Sequence, residues 1–347
     1  MYLAAQGAGV YVQGSFMLGT VVRPHRPTGE YDLDLVCNWD VAKEGITQQA
    51  LKTSVGEFLH DYIEDAQGVD GDIPEACDDS RRCWTLKYQH FHMDVLPAIP
   101  DAEALSDTAI LLTDKQLRAW QHSDPLAYVR WFREQCWKAF IAKRAALAKQ
   151  ARGAVDDVPE WQVRTTLHRV VQVLKRHRDV HFENDLDDKP PSSLITTLAA
   201  RVYVGESDLL DATMRAVELV PSLVEDRHGV MWVPNPVAEK ENFADKWLEY
   251  PDRQAKFYKW LDQVDSDLRG ALEERAGLPV VVERLEKAFG TEQVRKAAAR
   301  FAGDMRQLRE TRGMKMATTG ILAATGANTV RPNHNFFGAP TSPSTAP

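Results

Sequence analysis

The segment "YDLDLVCNWD", residues 31 to 40, sets Asp32 and Asp34 inside an otherwise apolar, strand-forming run. Side chains of a strand alternate between faces, so the two aspartates project to one side while Leu33 and Leu35 project to the other. One face is core, and the other carries two carboxylates that repel and raise one another's pKa unless a cation neutralises them. A divalent ion resolves the conflict, and hard oxygen ligands favour Mg²⁺ or Mn²⁺ over zinc.

Two further segments give the pair a context. "FHMDVLPAIP" offers a third acid, Asp94, flanked by Met93 and Val95 on an equally strand-like run. Upstream, "QGSFMLGT" contains Gly14, Ser15 and Gly19, where a glycine-permitted turn can aim backbone N–H groups and a hydroxyl at phosphate oxygens. Asp-x-Asp alone is commoner in surface strands and turns, and Gly-Ser alone says almost nothing. The joint order is far more specific: strand, Gly-Ser, a gap of about sixteen residues, Asp-x-Asp, then a hydrophobic-flanked Asp.

Around these segments the first part of the chain reads as mixed strand and helix. A helix over about residues 47 to 65 follows from the spacing of Leu51, Val55, Phe58, Leu59, Tyr62 and Ile63. A polar, acidic turn, "GVDGDIPEACDDSRR", precedes two strand-like runs, "CWTLKY" and "FHMDVLPAIP", the second stopped by Pro97 and Pro100. From about residue 125 to about 310 the pattern is helical, and the Pro-, Ser- and Thr-rich end reads as a mobile tail. This suggests an α/β part followed by a helical part.

The 347 residues are 44% hydrophobic, enough for a substantial core, and no run is apolar and long enough to span a membrane. With no signal-peptide pattern and four scattered cysteines, the expectation is a cytosolic protein with reduced thiols. A formal net charge of -8 argues against a protein that coats long DNA or RNA, while a small anionic ligand needs only a local basic site.

In these segments the chain resembles the polymerase-beta-type nucleotidyltransferases, and within them the bacterial CD-NTases, relatives of cyclic GMP-AMP synthase and oligoadenylate synthase. "QGSFMLGTVVRP", "EYDLDLVC" and "FHMDVLPAIP" match the three catalytic segments in order, and the likeness continues through "LHRVVQVLKRHRD", "PPSSLITTLAA" and "VPNPVAEKENFADKW". The resemblance implies an α+β fold: a polymerase-beta-like nucleotidyltransferase domain over 1–155, an oligoadenylate-synthase-like helical domain over 156–310 that completes the nucleotide cleft, and a flexible tail over 311–347. It implies that Asp32, Asp34 and Asp94 hold two Mg²⁺, with Mn²⁺ as a substitute, and that Asp94 helps deprotonate a 3′ or 2′ hydroxyl. Gly14, Ser15, Lys175 and Ser193 would hold the triphosphate.

The residues themselves support the lysine, because Lys175 borders the apolar stripe of Leu167, Val170, Val171 and Leu174 and can sit at the edge of a buried face. Taken apart from the acids, "KRHRD" reads rather as a solvated basic patch, and beside them Lys175 is favoured as a ligand. Ser192 is an equal candidate to Ser193, and either can cap the following helix. Arg23, His90 and His92 are weaker candidates, with a structural role favoured for His92.

The activity implied is Mg²⁺-dependent synthesis of a cyclic di- or trinucleotide from nucleoside triphosphates (ATP, GTP or both, with pyrimidine nucleotides open), in antiphage (CBASS) defence. Its product would act on a separate effector. A ubiquitin-like conjugation enzyme acting at the C-terminal tail is a further expected partner, against which the terminal Pro347 counts. Relatives usually carry a long helix before the Gly-Ser segment, and only thirteen residues stand before Gly14 here. The alternatives are a nucleotidyltransferase with another acceptor (a linear oligonucleotide, RNA or a protein) and an inactive nucleotide sensor.

Overall fold

The computed structural model describes residues 8–26, 29–66, 73–115, 120–151, 155, 163–273, 277–311, 315–316 and 322–323. These fall into two compact units, Met1–Gly290 and Thr291–Pro347.

The first unit begins with a seven-stranded mixed sheet. Its strands are β1 (Ala8–Val12), β2 (Tyr31–Trp39), β3 (Ala76–Asp79), β4 (Trp84–Lys87), β5 (Phe91–Pro100), β6 (Ile110–Leu112) and β7 (Gln121–Ser123). The order is β1-β2-β5-β4-β3, with β6 pairing β5 and β7 pairing β6. Only β2 and β5 run parallel, and their register sets Asp34 directly beside Asp94 and Asp32 beside His92.

The helix α1 (Gly14–Leu18) links β1 towards β2, and α2 (Gln48–Ala66) covers one sheet face. Leu51, Val55 and Leu59 of α2 are buried against Cys37, Leu86, Val95 and Ile99, and each such side chain contributes about 1.5–3 kcal/mol of burial. Trp84 closes this layer by donating its indole N–H to the Lys52 carbonyl at 2.8 Å. Its ring lies so close to Gly56 that a Cβ there would stand 2.2 Å from it. The opposite face has a smaller cluster of Val36, Ala98, Ile110 and Leu112, so the face that carries Asp32 and Asp34 becomes core one step further along β2.

The helices α3 (Pro125–Gln135), α4 (Trp137–Ala151), α5 (Thr166–His181), α6 (Ser192–Val202) and α7 (Leu209–Leu219) follow. Two short hairpins come next, β8 (Glu225–Arg227) with β9 (Val230–Trp232), and β10 (Pro234–Asn235) with β11 (Ala238–Asn242). The helices α8 (Lys246–Glu249), α9 (Pro251–Leu272) and α10 (Leu278–Phe289) complete the unit. The second core gathers Leu167, Val170, Val171 and Leu174 of α5 with Leu194 and Leu198 of α6 and Phe257 and Trp260 of α9. Of the second unit the structure describes α11 (Thr291–Glu310) and a pair of two-residue strands, Lys315–Met316 and Leu322–Ala323. The remaining tail, including residues 324–347 and the conjugation motif expected there, lies outside the described residues.

Three expectations need correction. Pro97 does not stop β5, because pairing with β4 ends at Val95 and pairing with β6 begins at Ala98, so the missing N–H falls at the change of partner. The acidic turn contains a real strand, β3, whose alternation is hidden by its acids. The stretch after residue 125 is not purely helical, since β8 to β11 intervene as strands too short to show a period. Among the described residues no helix is long and apolar enough to cross a membrane.

Candidate active site

The three aspartates arrive at one place by strand register alone. Asp32 and Asp34 share a face of β2, and Asp94 lies alongside Asp34 on the parallel neighbour β5. One carboxylate oxygen from each lies within 4.8 Å of the others. Burial, then the charges of Asp32 and Asp94, push the Asp34 carboxyl up to about 7. Burial also raises Asp32, against the opposing pull of His92. A cluster of oxygen donors that resists carrying its full negative charge fits a hard divalent cation, which supplies the missing counter-charge.

Neighbouring side chains hold the cluster in position. Thr85, directly opposite Asp94 on the antiparallel strand β4, donates its hydroxyl to Asp94 Oδ1 at 2.6 Å. His92 links Asp32 to Glu30, with Nε2 3.3 Å from Asp32 Oδ1 and Nδ1 3.2 Å from Glu30 Oε2. Lys52, only 2% exposed, pins the loop before β4 through the carbonyls of Ser80 at 2.6 Å and Cys83 at 3.1 Å.

Gly14 opens α1 with φ of 61°, a left-handed conformation that favours glycine. A Cβ at this position would lie 2.2 Å from Asp34 Oδ2. The Gln13 N–H donates to the Asp34 carbonyl at 2.8 Å, so the Gly-Ser segment is fastened to the acidic strand. Ser15 follows within α1, and its carbonyl accepts from the Thr20 N–H at 2.9 Å.

The helix α5 brings up the cation. Lys175 is 5% exposed, and its Nζ donates to the Thr20 carbonyl at 3.4 Å. Burial, then the nearby Arg178 charge, lower it to about 8, while Asp179, Asp34 and Asp32 pull the other way. The field of Asp34 and Asp32 at Lys175 relates the lysine to the acidic cluster. Ser192 is committed elsewhere, its hydroxyl accepting from Arg178 at 3.1 Å. The Ser193 hydroxyl has no hydrogen-bond partner among the described residues, and no contact joins it to the acids.

The structure therefore gathers Asp32, Asp34, Asp94 and Gly14, seats Lys175 on the Thr20 carbonyl, and leaves Arg23 and His90 outside the cluster. Beyond Glu30 and Lys52, sequence reasoning missed three residues. Thr85 is found only by the β4–β5 register, and Lys189, on the loop before α6, is the smallest of the charges that favour an ionised Asp32. The third, Asp179, receives Arg178 at 2.7 Å and Lys189 at 3.7 Å, tying that loop to α5.

Residues 9–97 match the family described as cyclic GMP-AMP synthase DncV-like, nucleotidyltransferase domain. A c-di-GMP synthase of Roseivirga ehrenbergii is 26% identical over 338 residues, spanning 95% of this chain and 85% of that protein. The CD-NTase CdnG of Bradyrhizobium diazoefficiens, solved in complex with GTP, shares the fold with a TM-score of 0.63 at 22% identity, over 86% of this chain and 87% of that one. The Vibrio cholerae DncV cyclic AMP-GMP synthase, solved with nonhydrolyzable GTP, has a TM-score of 0.60 at 18% identity, over 82% of this chain and 68% of that one.

Proposed function

With this chain a nucleotidyltransferase of the CD-NTase kind, we propose that it condenses nucleoside triphosphates into a cyclic di- or trinucleotide with release of pyrophosphate, in a Mg²⁺-dependent reaction. The carrying observation is the register that sets Asp34 beside Asp94, with Asp32 on the same face and Gly14 against Asp34. The names of the relatives, which specify cyclic dinucleotides, support the product class.

Asp32, Asp34 and Asp94 would hold two Mg²⁺, which when bound favour the ionised acceptor hydroxyl and neutralise charge on the departing pyrophosphate. Gly14 and Ser15 hold the donor triphosphate through backbone N–H and hydroxyl groups, and Lys175 and Ser193 reach its outer phosphates from the helical part. Asp94 takes the proton of the acceptor 3′ or 2′ hydroxyl, whose oxygen bonds to the donor α-phosphorus as the bond to pyrophosphate breaks. Thr85 holds one Asp94 oxygen, so the carboxylate keeps a single orientation for that step. The rate advantage comes from positioning and charge neutralisation, with no covalent intermediate on the protein.

Substrates on this reading are ATP, GTP or both, pyrimidine nucleotides remaining open. The enzyme acts in the cytoplasm as the signal-producing component of an antiphage (CBASS) system, its product acting on a separate effector and a conjugation enzyme acting on its tail. Residues 1–155 supply the acids and the Gly-Ser segment, and the helical part after them supplies Lys175 and Ser193.

Pyrophosphate release tests the reaction class. The wild-type protein should release pyrophosphate from a nucleotide mixture once Mg²⁺ is added, and Asp32→Asn should not. Release by the variant at the wild-type rate would overturn the site, and none from any nucleotide mixture would overturn the enzyme reading.

A further inference from the structure

A shallow, open hollow of about 350 Å³ lies beside α5, and none of Asp32, Asp34, Asp94, Gly14 or Lys175 lines it. Val21, Val22, Leu209 and Phe289 supply apolar walls, and Arg23 and Arg169 stand at the exposed edge. Its volume falls in the range that takes a small organic ligand, roughly 300–1,000 Å³.

The charge around it is unbalanced. No carboxylate is among the lining residues. Neither the Arg23 nor the Arg169 side chain has an ion pair or hydrogen bond among the described residues, whereas adjacent His25 and Arg26 share Glu183, at 3.4 and 3.1 Å. Two guanidiniums with no partner among the described residues thus border one apolar hollow. A solvated arginine needs no partner, but an anion held against apolar walls gains from a charge-assisted, often bidentate contact.

We infer that this cavity is a second ligand site, separate from the acidic cluster, for a small amphiphilic anion: a compact or planar apolar body carrying one sulfonate, carboxylate or phosphate group. The apolar body lies on Val21, Val22, Leu209 and Phe289, and the anion meets Arg23 and Arg169.

The place of the site gives its occupancy a consequence. Three side chains of α5 fasten the segment that forms one wall: Lys175 to the Thr20 carbonyl at 3.4 Å, Gln172 to the Val21 carbonyl at 2.8 Å, and Arg176 to the Arg23 carbonyl. That segment continues directly from α1 and its Gly14, so an occupant braces the backbone that also seats Lys175.

Binding is read by fluorescence and does not rest on the proposed reaction. Titrating the full chain with anilinonaphthalenesulfonate, an aromatic sulfonate of suitable size, should show one saturable site that persists in excess GTP and in Asp32→Asn. The double variant Arg23→Glu, Arg169→Glu should bind the probe at least about tenfold more weakly, as should the wild type for uncharged N-phenylnaphthylamine. Both arginines are exposed, so the melting temperature should be unchanged, and the milder Arg169→Gln should give an intermediate affinity. Absence of a saturable site, displacement of the probe by GTP, or equal binding by the charge-reversed protein would each overturn the assignment.

Discussion

The Thr85 hydroxyl lies 2.6 Å from Asp94 Oδ1, donated across a directly opposed β4–β5 pair. It fixes the orientation of a carboxylate that belongs to the acidic cluster. Removing a residue that orients a metal-binding carboxylate commonly costs about 10–100-fold in metal affinity or activity. Thr85→Val should therefore lower kcat or weaken Mg²⁺ activation by about tenfold or more, and Thr85→Ser should restore it. A valine variant with wild-type kcat and Mg²⁺ dependence would show that the hydroxyl serves packing only.

Asp34 is crowded by Asp32 and Asp94 in a partly buried setting. Its negative charge opposes folding when no cation is present. Asp34→Asn should abolish turnover yet raise the melting temperature of the protein in a chelator, and excess Mg²⁺ should stabilise wild type more than the variant. A chelated variant that melts below wild type would mean that the carboxylate serves the fold.

Lys175 is held near 8 by burial, so its charge is present below that pH and fades above it. If the ammonium meets the triphosphate, apparent KM should climb as pH rises through about 8, and Lys175→Ala should raise KM by about tenfold and remove that dependence. A KM that is flat across this range in wild type and unchanged in the variant would leave Lys175 as a structural contact to the Thr20 carbonyl.

His168 begins α5 as a neutral, buried acceptor: its Nδ1 receives the Thr165 N–H at 3.3 Å, and the Thr165 hydroxyl lies 2.8 Å from the same atom. Burial, aided by Arg164 and Arg133, lowers it to about 4 from an ordinary value of 6.5. The unfolded chain thus takes up a proton before the folded one does. This contribution to stability is complete above pH 6.5 and falls away as pH drops towards 4, reaching on the order of 3 kcal/mol. Melting temperatures measured from pH 7 to pH 4 should fall more steeply in wild type than in His168→Gln, and parallel curves would contradict the assignment.

The acidic cluster was legible because it is largely local. Alternation within "YDLDLVC" places Asp32 and Asp34 on one face whatever strand lies beside it. Asp94 needed an adjacent strand, and the parallel β2–β5 pair supplies one. Thr85 was illegible because its relation to Asp94 depends on an antiparallel register that no local pattern reveals. Lys175 could be inferred from the apolar stripe it borders, whereas Lys189 and Asp179 meet only through folding of the loop before α6. The hairpins β8–β9 and β10–β11 escaped notice because two to five residues cannot establish a period. The fit of Gly56 under Trp84 is a tertiary contact that leaves no trace in helical spacing.

The central claim is that the three aspartates gathered on β2 and β5 join nucleotides into a closed ring. Its most direct test is mass spectrometry of products formed from ATP, GTP, CTP and UTP with Mg²⁺, after phosphatase has removed every exposed phosphate. The account predicts a phosphatase-resistant species with the mass of a cyclic di- or trinucleotide, absent when Asp32→Asn or Asp94→Asn replaces wild type. Products that are all linear after phosphatase treatment, or a cyclic species that persists in either variant, would contradict it.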